Sequence, residues 1–446
     1  MTSSVTNNYK SHLLDLMRQD IDSDGSKYYI GLAKAEAFTQ PSDISSIRFQ
    51  NRVRHTLQSV KVVNGTSFVI PTVNWSNGTI YNQYDDNDHD QIDFYVVNSN
   101  REVFLCVHQA VSDTGVALQS TVEPTSTLSG STKNTFATSD GYKWRYMYKI
   151  SNLAFSNFKT NSYIPVKKVS GTSFISEEIQ QSQFQNLSVA GEILSIAIDS
   201  SGTGYGSAPT ISIVGNGSGA SFTTKIYQGK IVGVEVDSDG LGNYQHGSGY
   251  DYANISLSSG DAVLRPILGP AEGTHANPVN TLRSNSLMIQ SSFQATENNT
   301  ILTKNDFHQV ALIKNPSKYG VDSDFTGNTG NALKNMNISV TVGSIFDEDN
   351  DEVISNAAGT TSAKVFHHDT TNNVLYYYQD EETGFNAFTT SDIITGSISN
   401  TSASISVIND PDLNAYSGDI LYINNVDAID RADNQTEDIR IVIQLG

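Results

Sequence analysis

The residues able to do chemistry in this 446-residue chain are clustered carboxylates, a few histidines and a single thiol. Asp20, Asp22 and Asp24, followed by Gly25, reproduce the first half of a calcium loop, in which alternate side-chain oxygens face one ion. The twelfth position, where a bidentate Glu closes such a loop, is Gly31, so the segment reads as an acidic turn. Asp347, Asp349 and Asp351 fail the same template more plainly, with Glu352 at the glycine position and Ala358 at the twelfth. Residues 346–352 are therefore expected to form a solvated acidic turn. The run Asp85-Asp86-Asn87-Asp88-His89-Asp90 cannot aim all its side chains at one point, and a surface loop is expected. His367 and Asp369 supply His-x-Asp, two ligands of an iron(II) facial triad, but no His follows position 368 to complete it. Gly202 to Gly206 and Gly215 to Gly219 look like phosphate-cradling loops. Strand patterns rather than helices follow them, so both read as β-turns. Gly-x-Ser-x-Gly, His-Glu-x-x-His and Walker-type Gly-Lys-Ser/Thr are all missing. No catalytic, cofactor-binding or metal-ligating residue is assigned, and a non-enzyme is expected. A glycosidase stays open only because paired carboxylates leave no short motif.

Cys106 is the sole cysteine, which excludes an intramolecular disulfide and a thiolate zinc site. Its setting, Val103-Phe104-Leu105-Cys106-Val107, reads as a buried strand in which the thiol acts as a small hydrophobe. Lys plus Arg number 27 against 47 Asp plus Glu, a net charge of −20. That balance argues against nucleic acid and against anionic lipid as partners. No basic-then-apolar leader opens the chain and no run of 18 apolar residues occurs, so a soluble product of the cytoplasm is expected.

The elements that must position these residues are mostly strands. Tyr9, Leu13, Leu16 and Met17 fall on one face of a 3.6-residue period and predict an N-terminal helix. A second helix is expected from Asp43 to about Leu57, and a short helical stretch before Thr160. Val60–Val63 and Ser67–Ile70 flank Asn64-Gly65 and read as a hairpin. Phe94–Val97 and Val103–Val107 flank another turn. Tyr142–Ile150, Leu287–Gln290, Val310–Ile313 and the C-terminal Ile439–Leu445 are further strands, the last tied into a sheet.

An internal repeat occupies the middle. Gly191, Leu194, Ile196, Ile198, Asp199, Gly202 and Gly204 match Gly229, Val232, Val234, Val236, Asp237, Gly240 and Gly242 at a constant offset. Each copy is a strand with one apolar face followed by a glycine turn; Tyr205 with Ile211–Ile213, and Tyr250 with Ile255–Leu257, extend the match. One copy cannot bury its apolar face alone, so the two are expected to stack in a self-contained module.

Several segments together resemble one family. Tyr28–Gly31, Ser67–Pro71, Trp75–Tyr81, Thr138–Trp144, Tyr163–Val166, Gly273–Val279, Asn305–Gln309, Ser417–Ile423 and Arg431–Ile439 occur in order along nearly the whole chain. They are similar to the T4-type phage baseplate wedge subunit known as gene product eight, especially its marine-phage members. Thr274, Ala276 and Val426 depart from the family pattern of two glycines and an arginine at those places. The resemblance implies a structural virion protein of the tail baseplate, assembled in the host cytoplasm. It further implies a homodimer that binds other wedge and baseplate proteins and takes part in the rearrangement that triggers tail contraction. The expected fold class is mainly β, multi-domain and sandwich-like, with a few short helices. The expected division is 1–184, an inserted repeat module at 185–262, 263–345 and 346–446. The rival reading is a tail spike or fibre binding host glycans through Tyr on β-turns of the repeat.

Overall fold

The computed structural model describes residues 5–23, 25, 27–126, 135–297 and 300–445. Among the described residues the protein is mainly β, 41% strand and 12% helix, with antiparallel sheets and five short helices. It divides into two compact units, one of residues 1–16, 67–288 and 442–446, the other of 17–66 and 289–441.

In the first unit, strands Tyr95–Val97, Glu102–His108, Lys143–Lys149 and Phe136–Ala137 form a four-stranded sheet in that spatial order. The expected hairpin around Asn98–Asn100 is present, with Tyr95 opposite Leu105 and Val97 opposite Val103. Aromatic rings fill its core: Phe104, Phe136, Tyr142, Trp144 and Tyr146 pack with Tyr81. The helix Ser176–Asn186 adds Phe184, its ring 5.5 Å from that of Tyr146. Cys106 is buried in the central strand, and desolvation pushes its thiol far above the usual range.

The repeat folds as an exchange between its two copies. The first strands are Ile193–Ser200 and Lys230–Val236; the second are Ile211–Gly215 and Ala253–Leu257; the third are Phe222–Tyr227 and Val263–Leu268. The second strands pair with each other, Ile211 opposite Leu257 and Ile213 opposite Ile255. Each first strand pairs with the third strand of the other copy. This exchange of strands is how two half-buried units close one core of Ile193, Ile196, Phe222, Ile231, Val234 and Leu264. The last of these strands lies beyond position 262, so the paired module ends at Leu268. Gly202 and Gly204, and Gly240 and Gly242, all hold positive φ, as the turn reading requires.

In the second unit, a five-stranded sheet runs Thr329–Asn331, Leu57–Val62, Tyr28–Ala33, Asp306–Lys314, Asp419–Asp430. The 28–33 strand is central and buried throughout, and a side chain on Gly31 would strike Leu57 (2.7 Å). The helix Ile47–His55 covers one face with Phe49 and Val53. Six further strands, Lys334–Val340, Val353–Asn356, Ser362–Asp369, Val374–Tyr378, Ile393–Gly396 and Ser402–Asn409, close into a barrel. Met336, Ile338, Ile354, Val365, Leu375 and Ile405 fill it. Closure comes from pairing the first strand with the last, Asn335 opposite Asn409 through Val340 opposite Ala403.

One expectation is corrected and another is borne out. Leu57–Val62 and Gly65–Pro71 are not a hairpin: the former pairs with Tyr28–Ala33 and the latter with Tyr163–Val166. Asn64 does not make the tight turn, because its N–H donates to the Gln290 carbonyl and its side-chain oxygen accepts from Ser291 and Ser292. The expected N-terminal helix is present as Asn7–Ile21; its buried residues are Ser11 and Leu14, and Tyr9, Leu13 and Leu16 are exposed. The C-terminal strand Thr436–Gln444 is tied into a sheet, and the Leu445 N–H donates to the Asn285 carbonyl.

Candidate functional site

The most elaborate polar assembly in the first unit surrounds Arg145. Its strand alternates, so Trp144 and Tyr146 enter the aromatic core while Arg145 points to the opposite face, where it is completely buried. A buried guanidinium must have its donors met and its charge balanced. Nη1 and Nη2 donate to the two oxygens of Glu192 at 2.6 and 2.8 Å, a bidentate pair. Nη1 also donates to Thr274 Oγ1 (2.9 Å) and Nε to Thr135 Oγ1 (2.9 Å). Burial pushes the Glu192 carboxyl up, but the Arg145 charge and hydrogen bonds outweigh it and hold the group below the usual carboxylate range.

Two buried histidines complete the assembly. His246 Nδ1 lies 3.0 Å from the Ile193 carbonyl, which assigns the proton to Nδ1; Nε2 then accepts from the Thr135 hydroxyl at 3.0 Å. His275 stacks on Phe184 with ring centroids 5.2 Å apart. Burial, reinforced by the Arg145 charge, lowers both imidazoles to about 3. Both are neutral at physiological pH. Strand 143–149, the start of the repeat module and the Thr274 loop are thereby bolted together by one buried, bidentate ion pair, an arrangement suited to holding rather than to proton transfer.

Two more ion clusters tie the module to the same unit. Glu235 accepts from Lys143 and lies 3.1 Å from His108 Nε2. Burial raises its carboxyl, yet the bonds and charges of His108 and Lys143 prevail and bring it to about 2. Arg265 donates to both oxygens of Asp85, at 3.0 and 2.7 Å. The acidic run is thus half engaged: Arg283 also donates to the Asp85 and Asp88 carbonyls, while the side chains of Asp88, His89 and Asp90 are exposed.

The other sequence candidates do not converge. Asp20 accepts from Lys314 (2.6 Å) and Tyr28, whereas Asp22 accepts from Arg18 and Thr66; Asp24 lies outside the described residues. His367 Nδ1 lies 2.9 Å from Glu348, His368 Nδ1 accepts from the Phe346 N–H, and Asp369 caps its own turn. Glu352 corrects the solvated-turn expectation: it is fully buried in the barrel and accepts from the N–H groups of Asp347, Ile398 and Ser399 and from the Ser399 hydroxyl. No group of three or more metal-ligating side chains occurs among the described residues. Nor is any helix among them long and apolar enough to cross a membrane. Tyr205 and Tyr250, the rings of the tandem Gly-Tyr turns, are buried; Tyr205 fills the space a side chain on Gly260 would need, and Tyr250 that on Gly217.

The Arg145–Glu192 pair escapes sequence reasoning, although a signal exists. An arginine inside Trp144-Arg145-Tyr146-Met147-Tyr148, a strand reading as wholly apolar, demands a buried acid somewhere in the fold. Comparison with known proteins adds no relative: no family model matches the chain and no curated protein aligns with it.

Proposed function

We propose that this chain is a structural subunit of the baseplate wedge of a contractile-tailed phage, holding neighbouring wedge proteins and taking part in the rearrangement that precedes contraction. The observation that carries the reading is where the family-like segments lie. They meet one another. Ser67–Pro71 pairs with Tyr163–Val166, Phe68 opposite Val166. Tyr81 packs edge-on against Trp144 and its N–H donates to the Tyr142 hydroxyl. Thr274 reaches Arg145, the residue following Thr138–Trp144. In the other unit, Tyr28–Gly31 pairs with the strand holding Phe307 and Gln309, which pairs in turn with the strand holding Tyr422. Arg431 donates to Glu437 within the closing segment.

The build of the molecule supports the same reading. Buried ion pairs and a closed barrel give rigid bodies that transmit load. The exposed stripe of Tyr9, Leu13 and Leu16 offers apolar surface to a neighbour. Solution mass by light scattering tests the reading. A stable species near twice 48.4 kDa agrees with a wedge subunit; a tight trimer contradicts it and favours a spike or fibre.

A further inference from the structure

We propose that one end of the barrel, in the unit of residues 17–66 and 289–441, is a docking tip for a protein partner that presents an apolar socket rimmed by Lys or Arg. Two loops build the tip. Residues 341–352 join the strands Lys334–Val340 and Val353–Asn356, and residues 397–401 join Ile393–Gly396 and Ser402–Asn409. These loops carry Val342, Ile345 and Ile398, which are 100%, 58% and 51% exposed. Single aliphatic side chains scattered on a surface are ordinary, but three on two adjoining loops make an apolar patch.

The loops are pinned from behind. The buried Glu352 carboxylate accepts from the amides of Asp347 (2.7 Å), Ile398 (2.7 Å) and Ser399 (2.6 Å), so both loops share one anchor. Thr401 Oγ1 donates to the Ile345 carbonyl (2.9 Å), a second tie between them. Phe346 turns inward to the barrel core, and its N–H donates to His368 Nδ1 (3.2 Å). Val342 sits in a turn closed by the Ser344 N–H on the Thr341 carbonyl (3.0 Å). A loose loop would fold its aliphatic side chains back onto the protein. Here the backbone is held at Thr341, Ile345, Phe346 and Ile398, and the three side chains stay in water.

Charge selects what covers them. Barrel residues 334–409 contain ten Asp and Glu against two Lys and no Arg. Asp347, Asp349 and Asp351 directly follow the tip, the latter two exposed, and none of the three makes an ion pair among the described residues. Asp347 accepts only from its own turn, and Asp351 from the Tyr378 hydroxyl, so their charge is left unbalanced. A nucleic acid or an anionic lipid surface would meet that charge with its own. A second copy docking through the same tip would bring the same carboxylates together. A small cation would leave the aliphatic side chains in water. A protein face with an apolar socket and a basic rim takes Val342, Ile345 and Ile398 out of water and gives the aspartates their partners. This site is independent of the wedge reading and distant in sequence from the repeat.

The test is fluorescence anisotropy of a labelled amphipathic helical peptide of Leu and Lys alone, titrated with the full chain, beside its Leu and Glu counterpart. The expected result is saturable binding of the Leu/Lys peptide and none of the Leu/Glu peptide. Val342→Ser with Ile345→Ser, both at exposed positions, weakens binding about tenfold, the worth of one aliphatic side chain taken out of water. Asp349→Asn with Asp351→Asn weakens it roughly twofold to fivefold and flattens its salt dependence. Leu241→Ser, at an exposed position in the repeat module, leaves it unchanged. The proposal is overturned if the Leu/Lys peptide does not bind, if the Leu/Glu peptide binds as well, or if Leu241→Ser costs as much as the tip variant. Binding of the chain to phosphatidylcholine vesicles, lost in the tip variant, would likewise overturn it, assigning the tip to lipid.

Discussion

Replacing Glu192 by Gln keeps the shape of the side chain and removes its charge from beside a guanidinium that no water reaches. Arg145 makes four hydrogen bonds, two of them to this carboxylate. Breaking a buried pair from one side costs about 3–5 kcal/mol, and the amide oxygen of Gln still accepts one N–H, so the lower end is expected. With a urea slope of about 3 kcal/mol/M, the midpoint falls by on the order of 1 M. The chain has two tryptophans, Trp75 and Trp144, both in the first unit, so fluorescence reports that unit alone. The double variant Arg145→Met with Glu192→Leu removes both charges, leaving Thr135 and Thr274 each short of one donor at about 1 kcal/mol. It should therefore recover part of the loss. A midpoint shift below about 0.3 M for Glu192→Gln would refute the reasoning, as would a double variant less stable than the single one.

Other outcomes follow from the same geometry. His246 and His275 are neutral when folded and are lowered from 6.5 to about 3, so the unfolded chain binds their protons first. Stability of the first unit then falls as pH drops below 6.5, by up to about 1.4 kcal/mol per pH unit for each group, until the folded values near 3 are reached. Denaturation midpoints measured between pH 7 and 4.5 check this, and His246→Gln should flatten the slope. Replacing Glu352 by Ala strips four donors of their acceptor inside the barrel. The Ile398 and Ser399 amides should lose hydrogen-exchange protection, and unchanged protection would count against the role given to this carboxylate. Leu13→Asp with Leu16→Asp alters exposed positions, so circular dichroism should be unchanged. If the stripe is an interface, light scattering should return the 48.4 kDa monomer.

Much of the β architecture was legible because alternation is local. The 95–97 and 102–108 strands, the 143–149 strand and the two repeat copies declare themselves through residues a few positions apart. Partner choice is not local. Val60 and Phe68 lie eight residues apart with turn residues between them, yet each strand pairs with another far along the chain, because Asn64 spends its side chain on the 286–294 strand. Barrel closure joins residues more than sixty positions apart and leaves no mark in either strand's pattern. The third strand of each repeat copy, Phe222–Tyr227 and Val263–Leu268, is hidden by the insertion that breaks the constant offset. The polar sites were half visible. Acidic runs stand out in sequence, but which carboxylates are engaged depends on arginines such as Arg265 and Arg283, nearly two hundred positions away. Glu352 shows the reverse case, a buried anchor inside what reads as a hydrophilic turn.

The measurement that bears most directly on the wedge assignment is immunogold electron microscopy of purified tailed particles, using antibody raised against this chain. The account predicts gold confined to the baseplate, with the chain present in the particles by mass spectrometry. Gold at fibre tips or on the capsid, or particles that lack the chain, would contradict it.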